Sequence, residues 1–222
     1  MINKYVISGY GRMGHMVEAA LKARDITGVY PTEDVCATPV DLASQAVCID
    51  FTTPDAFRRN YRWIASHFRA VVVGTTGWYD ISEEVFSAFR EAGTPLIWGS
   101  NFSIGVIAAM AAVQKAASVI SGQPYEAHVE EIHHIHKLDA PSGTAKTLAD
   151  SVESILGQRP DIRSVREGEV PGIHTVEFVS GVDKITIRHE AFSREGLAEG
   201  AVTAALMLEN TTGIHEFKDL II

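Results

Sequence analysis

The chain has 222 residues, of which 46% are hydrophobic and 21% are charged, a composition typical of a folded protein of one or two domains and not of a disordered chain, collagen or a coiled coil. Its 19 Lys and Arg against 28 Asp and Glu give a formal net charge of −9, which repels a phosphate backbone, so we expect no nucleic-acid partner. The uncharged apolar run from Gly105 to Val113 is far shorter than the roughly 20 residues that a membrane-spanning helix needs, so we expect no membrane association.

The first predicted element is a short buried strand, Tyr5 to Ser8. Because Met1 to Lys4 lead straight into this strand, they leave no room for a signal peptide, and none is expected. The pattern G-x-G-x-x-G follows at Gly9, Gly11 and Gly14, and apolar residues then recur at helical spacing. The sequence thus predicts a strand, a glycine turn and a helix in succession.

This glycine pattern suits the pyrophosphate of a dinucleotide. Gly9 allows a tight turn, Gly11 lets the backbone approach the phosphates, and Gly14 permits close packing of the helix. The amino terminus of the helix supplies unpaired N–H groups and a partial positive charge. A glycine-rich turn that binds nothing is the alternative, but the position between a strand and a helix favours a dinucleotide.

The second strand, predicted from Ile26 to Tyr30, should be followed by an acidic residue that binds the adenosine ribose. Glu33 and Asp34 come slightly later than that position, and no arginine stands there to bind a 2′-phosphate. The choice between NADH and NADPH is therefore open. We expect both cofactors to bind with affinities within about tenfold of each other, or about 1.4 kcal/mol.

Three more strands and two more helices are predicted before residue 104. The strands are Ala46 to Phe51, Ala70 to Val73 and Pro95 to Trp98, and the helices begin at Pro54, capped by Thr53, and at about Ser82, capped by Asp80. Strands that alternate with helices predict a parallel sheet covered on both faces. Ligands of such sheets bind at the carboxyl ends of the strands.

The two cysteines, Cys36 and Cys48, lack the C-x-x-C spacing of a redox or metal motif, and a chain of this length can form a core without disulfides. We interpret both as free thiols of a protein in a reducing cytoplasm. Cys48 lies inside the third predicted strand, which favours a small buried apolar side chain over a reactive thiol.

The sequence pattern changes beyond about Ile104. A long helix rich in small residues is followed by a strand from Ala127 to Ile132, a helix from about Gly143 to Leu156 and a polar loop from Gly157 to Gly172. Two strands then alternate apolar and polar residues, Thr175 to Val179 and Lys184 to Arg188, and a last helix, about Leu197 to Leu208, precedes a short tail. The alternation predicts an antiparallel sheet with one covered face.

The densest chemistry lies in the segment from Glu130 to Ala145, which places three histidines and a lysine between a strand and a helix. One interpretation is a metal site, in which His134 and His136 share a strand face and Glu130 or Glu131 assists. Lys137 would oppose a bound cation, however, and no second cluster completes the ligand shell. A solvated polar strand end is another interpretation, and proton transfer combined with anion binding accounts best for the segment.

Anion binding is predicted from the turn at the end of this segment. Asp139-Ala140-Pro141 forces an extended turn, and Ser142-Gly143-Thr144 then opens a helix whose first N–H groups and hydroxyls can bind a carboxylate. Lys137 adds a positive charge. The spacing is not that of a phosphate-binding P-loop, and a plain helix cap is the alternative.

The segment from Glu131 to Ala145 resembles the signature H-H-x-x-K-x-D-A-P-S-G-T-A of the 4-hydroxy-tetrahydrodipicolinate reductases, also called dihydrodipicolinate reductases. Motifs along the whole chain share this resemblance: Gly11-Arg12-Met13-Gly14, Gly74-Thr75-Thr76-Gly77, Asn101 to Val106, Gly172-Ile173-His174, Arg188 to Arg194 and Gly200-Ala201. The chain departs from the family in a shortened segment from Ile26 to Val47 and in the missing ribose-binding acid.

The resemblance implies that NADH, NADPH or both reduce a cyclic hydroxy-imine dicarboxylate to tetrahydrodipicolinate with loss of water, a step in diaminopimelate and lysine synthesis. It implies His133 as proton donor and acceptor and Lys137 as proton donor. His134, Gly143 and Thr144 match substrate-binding residues, and no metal is implied. The matching cofactor contacts are Gly9, Tyr10, Gly11, Arg12, Met13, Gly14, Gly74, Thr75, Thr76, Gly99, Ser100, Asn101 and Phe102.

The resemblance also implies an α/β fold of two domains. A Rossmann-type domain with a parallel sheet would comprise residues 1–103 and 197–222, and a second α+β domain with a mixed sheet, residues 104–196, would bind the substrate and form a homotetramer. Two alternatives remain. Another Rossmann-type reductase, such as an amino-acid dehydrogenase, would not need the turn from Asp139 to Thr144, and a catalytically silent nucleotide-sensing module would not need His133, His134 and Lys137.

Overall fold

The computed structural model describes residues 2–222, which form two compact units. The first unit combines the chain up to Ser103 with Glu195–Ile221, and the second unit is the continuous stretch Ile104–Arg194. Within residues 2–222, no helix is both long enough and apolar enough to cross a bilayer.

A six-stranded parallel sheet forms the centre of the first unit. Its strands are β1 (Tyr5–Ser8), β2 (Val29–Thr32), β3 (Val47–Asp50), β4 (Ala70–Val73), β5 (Leu96–Trp98) and β10 (Ile214–Glu216), in the order β10-β5-β4-β3-β1-β2. Its helices are α1 (Arg12–Lys22), α2 (Val40–Ala43), α3 (Pro54–His67), α4 (Ser82–Ala92), α7 (Glu195–Met207) and α8 (Phe217–Ile221). Short 3₁₀ turns lie at Val35–Ala37 and Tyr79–Ile81.

The central strands follow directly from the sequence. Strands β1, β3 and β4 are buried along their whole length, which is why they are short apolar runs without alternation. Helix α3 begins as predicted, because the Thr53 hydroxyl accepts a hydrogen bond from the Ala56 N–H (3.3 Å) and Pro54 occupies the first turn. The predicted parallel sheet is confirmed.

The prediction for the second strand was wrong by about two residues. Asp25 adopts a left-handed conformation (φ 59°), and the N–H of Ile26 still bonds to the Leu21 carbonyl, so the turn that follows α1 occupies the start of the predicted strand. The ladder with β1 therefore begins at Val29 and ends at Thr32. Because β2 lies at the sheet edge, Pro31 can occupy it without breaking an inner hydrogen-bond ladder.

Two further corrections concern the ends of elements. Asp80 does not cap α4; it lies in the 3₁₀ turn before that helix, and its carboxylate pairs with the Arg58 guanidinium. The predicted short tail contains β10, which pairs in parallel with β5, and α8. Strand β10 has only three residues, too few for an apolar pattern to reveal it.

The second unit contains a mixed four-stranded sheet and two helices. The helices are α5 (Ile104–Ile120) and α6 (Gly143–Leu156), and the strands are β6 (Glu126–His133), β7 (Asp161–Arg166), β8 (Gly172–Val179) and β9 (Lys184–Ala191), in the order β7-β6-β8-β9. Only β6 and β7 are parallel. The two period-2 strands are confirmed and extend further than predicted, whereas β7 lies inside the predicted polar loop. That strand is an edge strand without a fully buried residue, so its sequence carries no apolar signal.

Among the glycines of the first unit, Gly200 on α7 has the least room for a side chain. A Cβ atom there would lie 1.7 Å from the Phe102 carbonyl oxygen, whereas a Cβ on Gly196 of the same helix would lie 3.7 Å from its nearest neighbour, the Ser103 hydroxyl. Gly200→Ala should therefore lower the free energy of unfolding by about 1–3 kcal/mol, because the helix must move away. The matched Gly196→Ala should be neutral or stabilising. Thermal unfolding of both variants checks this, and equal midpoints would contradict it.

Candidate active site

The glycine turn after β1 leaves room for a ligand. Gly9 has φ +87°, and a Cβ on it would lie 2.5 Å from the Phe51 carbonyl oxygen; a Cβ on Gly14 would lie 2.4 Å from the Gly9 carbonyl oxygen. At Gly11, by contrast, no atom of the described residues lies within 4 Å of such a Cβ, and within residues 2–222 no side chain caps α1. Open space thus adjoins an uncapped helix amino terminus, an arrangement that fits a pyrophosphate.

The other predicted cofactor residues follow parallel strands. Gly74, Thr75 and Thr76 come directly after β4, and the segment from Gly99 to Phe102 follows β5. Parallel strands end at one edge of a sheet, so these loops lie at the same edge as the glycine turn. Among the remaining predicted contacts, Arg12 is exposed and Met13 is half-buried, while the Tyr10 hydroxyl donates to Glu18.

Asp50, which the sequence analysis did not select, connects β1 with the loops after β3 and β4 through hydrogen bonds. Its fully buried carboxylate accepts hydrogen bonds from the hydroxyls of Ser8 (2.7 Å), Thr52 (2.9 Å) and Thr75 (2.5 Å). Burial raises the pKa of this carboxyl, and the hydroxyl donors oppose that rise. An acid at the end of an otherwise apolar strand run was the available signal.

The observed end of β2 also changes which acidic residue lies nearest to the expected ribose-binding position. Because β2 ends at Thr32, Glu33 is the first residue beyond the strand, and it is exposed. Asp34 is used locally, since its carboxylate accepts a hydrogen bond from the Cys36 N–H (3.1 Å). Glu33 is therefore nearer the expected ribose position than the sequence suggested.

In the second unit, the histidine-rich segment leaves the sheet at His133. His134 and His136 lie in the turn beyond β6, so the prediction that they share a strand face was wrong. The Nε2 atom of His134 accepts a hydrogen bond from the Arg194 guanidinium (3.2 Å), and the Lys137 ammonium lies 2.8 Å from an Asp139 carboxylate oxygen. The peptide bond between Ala140 and Pro141 is cis.

Helix α6 begins with the cap that the sequence contains. The Ser142 hydroxyl accepts a hydrogen bond from the Ala145 N–H (3.2 Å), so the simple cap is real. Gly143 is exposed, with no described atom within 4 Å of a would-be Cβ, and Thr144 beside it is half-buried. The first turn of the helix therefore has open space beside the Gly143 backbone.

A buried polar cluster joins the strand end to the start of α6. The Glu131 carboxylate, with no exposed surface, accepts from the Ser142 N–H (3.0 Å) and from Arg166 (3.0 Å), and its second oxygen lies 3.0 Å from Nδ1 of His133. Burial favours a higher pKa for Glu131, but hydrogen bonds from Ser142, Ser164 and Arg166 outweigh it and hold the pKa at about 2. The glutamate is thus ionised at neutral pH.

The two buried histidines of the cluster resist protonation. Burial lowers the pKa of His133, with the Glu131 carboxylate opposing this effect, and burial lowers the pKa of His174 to about 4. One donor atom from each of Glu131, His133 and His174 lies within 4.8 Å of the others. Arg166 already pairs with this carboxylate and Lys137 adds a second positive charge, and both charges disfavour a bound cation.

Comparison with known proteins identifies the family. Two family models match the chain, Dihydrodipicolinate reductase, N-terminus, over residues 3–102 and Dihydrodipicolinate reductase, C-terminus, over residues 105–221. The chain belongs to the dihydrodipicolinate reductase family. A 4-hydroxy-tetrahydrodipicolinate reductase of Christiangramia forsetii is 39% identical over 96% of this chain and 95% of the relative. One of Ralstonia pickettii is 33% identical over 92% of this chain and 83% of the relative.

Solved structures agree on the fold. Dipicolinate-bound dihydrodipicolinate reductase from Paenisporosarcina sp. TG-14 superposes with a TM-score of 0.84 at 18% identity, covering 99% of this chain and all of that one. An aspartate dehydrogenase from Thermotoga maritima reaches only 0.51 at 15% identity, covering 94% of this chain and 97% of that one. The reaction of this chain is that of the reductase family: reduction of 4-hydroxy-tetrahydrodipicolinate with NAD(P)H in lysine synthesis.

Sequence reasoning did not foresee the reductase's buried cluster: it considered Glu131 only as one of two glutamates that could assist a metal, and it did not select Arg166 or His174. Glu130 and Glu131 are consecutive in a strand, so one of them had to face the covered side, and this was the available signal. Arg166 lies on the unpredicted edge strand β7. His174 lies just before the predicted strand Thr175 to Val179, and its position beside Glu131 depends on cross-strand register.

The low pKa of His174 predicts that the reductase loses stability in mild acid. The unfolded chain binds a proton at His174 near pH 6.5 and the folded chain only near pH 4. The contribution of neutral His174 to the free energy of unfolding is therefore full above pH 6.5 and is lost as the pH falls toward 4. Between pH 7 and pH 5 it amounts to roughly 2 kcal/mol. His133 and His189, with lowered pKa values, act in the same direction.

His174→Gln should therefore reduce the drop in unfolding midpoint between pH 7 and pH 5 by roughly 4–8 °C. The matched variant is His128→Gln, an exposed histidine of the same sheet, which should keep the wild-type pH dependence. Thermal unfolding at the two pH values measures the effect. If His174→Gln retains the full drop, burial of this imidazole does not control acid stability.

Proposed function

We propose that the second unit binds the dicarboxylate substrate and performs the proton transfers of the reaction. In this proposal His133 and Lys137 transfer protons, and His134, Gly143 and Thr144 bind the substrate. One observation carries the proposal: the Glu131 carboxylate lies 3.0 Å from His133 at the strand end and 3.0 Å from the Ser142 N–H at the start of α6. The Glu131 carboxylate thus connects the group proposed for proton transfer with the helix start proposed to bind a substrate carboxylate, so both can act on one small molecule.

The overall reaction adds one hydride and one proton to the substrate and releases one water. When bound, the reduced nicotinamide supplies the hydride. The chain must supply the proton at the atom left with excess electron density and assist departure of the hydroxyl as water. Lys137 and His133 are the groups that we assign to these tasks.

The state of each group suits its assigned task. The Lys137 side chain is only 23% exposed and its ammonium is paired with Asp139, and the same ammonium can also pair with a substrate carboxylate. His133 is neutral at pH 7 because burial lowers its pKa, so it can accept a proton as well as return one. The dipicolinate bound to the Paenisporosarcina relative is a pyridine dicarboxylate, which supports a dicarboxylate ligand here.

We propose that the first unit holds the cofactor through the glycine turn at Gly9 to Gly14, through Gly74 to Thr76 and through Gly99 to Phe102. The open space at Gly11 and the uncapped amino terminus of α1 support this assignment. Strand β2 ends in Pro31 and Thr32, so neither an acid to bind the ribose nor an arginine to bind a 2′-phosphate stands at the strand end itself, and we expect NADH and NADPH to bind with affinities within about tenfold. Titration with each reduced cofactor tests this, and a hundredfold preference either way would contradict it.

We also propose that the protein acts in the cytoplasm as a homotetramer assembled through the sheet of the second unit. The support is the outer face of β9, where Lys184, Thr186, Arg188 and Glu190 are exposed and helices do not cover them within the described residues. Light scattering of the purified protein measures the mass directly. A monomer at working concentration would rule out the tetramer.

The decisive experiment couples the protein to freshly prepared 4-hydroxy-tetrahydrodipicolinate and follows the absorbance of reduced nicotinamide. Loss of absorbance that depends on both substrate and protein is expected. A protein that binds reduced cofactor but never oxidises it would instead be a nucleotide-sensing module.

A further inference from the structure

The Glu131 carboxylate contacts three separate parts of the second unit. One oxygen accepts hydrogen bonds from the Ser142 N–H and the Arg166 guanidinium, both at 3.0 Å, and the other lies 3.0 Å from Nδ1 of His133. Arg166 also donates to the carbonyl oxygen of Asp139 (2.5 Å). Glu131 does not stand among the residues assigned to substrate or cofactor, yet it faces the imidazole assigned to proton transfer.

A neutral imidazole carries its proton on one nitrogen only, and the partner of the other nitrogen decides which. The Nδ1 atom and the carboxylate oxygen beside it, 3.0 Å apart, are not aligned for a hydrogen bond, but an ionised carboxylate attracts an N–H and repels a lone pair, so its charge still favours the proton on Nδ1. The Nε2 atom is then left with its lone pair. It lies against Gly172, where a Cβ would be only 3.1 Å away, so a glycine at this position keeps the nitrogen unobstructed.

We propose that Glu131 is a positioning residue that fixes His133 as the tautomer protonated on Nδ1, so that Nε2 is a proton acceptor in the resting enzyme. The inference rests on the role proposed for His133. The two groups then have different tasks. Nε2 of His133 takes a proton from the substrate and returns it to the departing hydroxyl, which leaves as water. Lys137 donates the proton that accompanies the hydride.

With these two roles, every proton is accounted for over one turnover. The proton removed by His133 leaves in the water, so the histidine returns to its starting state within one turnover. The proton from Lys137 stays in the product, and the lysine regains one from solvent. While His133 is positively charged, the Glu131 carboxylate stabilises the imidazolium, as a buried carboxylate does for a histidine base in general.

Several other titratable groups face His133 and also affect its equilibrium between imidazole and imidazolium. They are Lys137 and Arg166, which disfavour the imidazolium, Asp139, which favours it, and His174, whose ring centroid lies 5.1 Å away and whose low pKa keeps it neutral at pH 7. Only Glu131, among the described residues that face His133, combines direct contact at Nδ1 with negative charge. Removing its charge should therefore shift the titration of His133 to lower pH.

The first test uses the wild-type protein. Long-range ¹H–¹⁵N spectra of histidine-labelled protein distinguish the two neutral tautomers, and His133→Gln assigns the signal. We expect the Nδ1–H tautomer at pH 7, which is the rarer form for a histidine in water. The Nε2–H tautomer would overturn the proposal. Because this readout needs no turnover, it stands apart from the assay that tests the proposed function.

The second test compares Glu131→Gln with Glu130→Gln. Glu130 is the neighbouring residue on the other face of β6, where it pairs with the exposed Arg163 (3.0 Å). Glu131→Gln should lower kcat roughly 10–100-fold, raise KM less, and move the histidine inflection of the kcat/KM profile to lower pH. Glu130→Gln should change none of these.

A merely structural role for Glu131 gives a different result. In that case Glu131→Gln would lower activity with the inflection of the pH profile in its wild-type place, or would leave kcat at the wild-type level; either outcome refutes the positioning role. Reduced-cofactor affinity and the unfolding midpoint show whether the variant is folded. If Glu131→Gln does not fold, the tautomer in the wild-type spectrum decides the question.

Discussion

Replacing Lys137 by alanine should lower kcat by roughly 10²–10⁴-fold and raise KM as well, while reduced-cofactor binding stays near the wild-type value. The ammonium is partly buried and lies 2.8 Å from Asp139, so alanine removes a proton donor, a positive charge and an ion pair together. The cofactor residues belong to the first unit and keep their contacts. Steady-state kinetics and cofactor titration measure the three quantities.

Two further variants separate the possible causes of that loss. Lys137→Arg keeps the positive charge but cannot donate a proton at neutral pH, so it should restore much of KM and little of kcat. Lys115→Ala removes an exposed lysine from α5 and should change neither constant. A Lys137→Ala enzyme with near-normal kcat would remove the lysine from the mechanism and leave His133 as the sole acid.

Replacing Thr144 by valine should raise KM by roughly 10–150-fold, the equivalent of about 1.5–3 kcal/mol for a hydrogen bond to a charged group. Thr144 lies in the first turn of α6, next to the exposed Gly143, and its hydroxyl is assigned to a substrate carboxylate. Valine keeps the side-chain volume and removes only that hydroxyl. Because the lost contact is present in both ground state and transition state, kcat should change little.

Thr147→Val is the matched control for this prediction. Thr147 is one turn further along α6, is exposed, and donates its hydroxyl to the Gly143 carbonyl oxygen (3.0 Å). Its replacement tests the cost of losing a threonine hydroxyl from this helix without touching the assigned substrate. If the two variants show the same KM, the first turn of α6 does not bind a carboxylate through Thr144.

The sequence revealed inner strands and mostly failed on edge strands. Strands β1, β3 and β4 are buried on both faces and had to be short apolar runs. The strand that was displaced, β2, and the two that were missed, β7 and β10, all lie at sheet edges. An edge strand needs less apolar surface, and its register comes from its one neighbour, so the local sequence carries little information about it.

The same distinction applies to the candidate site. The glycine turn and the cap at Ser142 are local devices, and their residues could be recognised from spacing alone. Glu131 and His174 come together only because β6 and β8 pair in one particular antiparallel register. Asp50 likewise depends on hydroxyls from β1 and from the loop after β4. Side chains that meet only through the register of strand pairing are not marked by any periodic pattern in the sequence.

The discontinuity of the first unit has a consequence for biosynthesis. The second unit leaves the ribosome as one uninterrupted stretch, Ile104–Arg194, whereas the sheet of the first unit lacks its edge strand β10 until residue 216 has been made. Until then β5 is an open edge, and Phe102 lacks the Phe217 ring on which it stacks at 4.9 Å. A nascent chain therefore exposes this unpaired sheet edge from the synthesis of β5 until that of β10, and a premature stop after Arg194 would yield a complete second unit attached to an incomplete, aggregation-prone first unit.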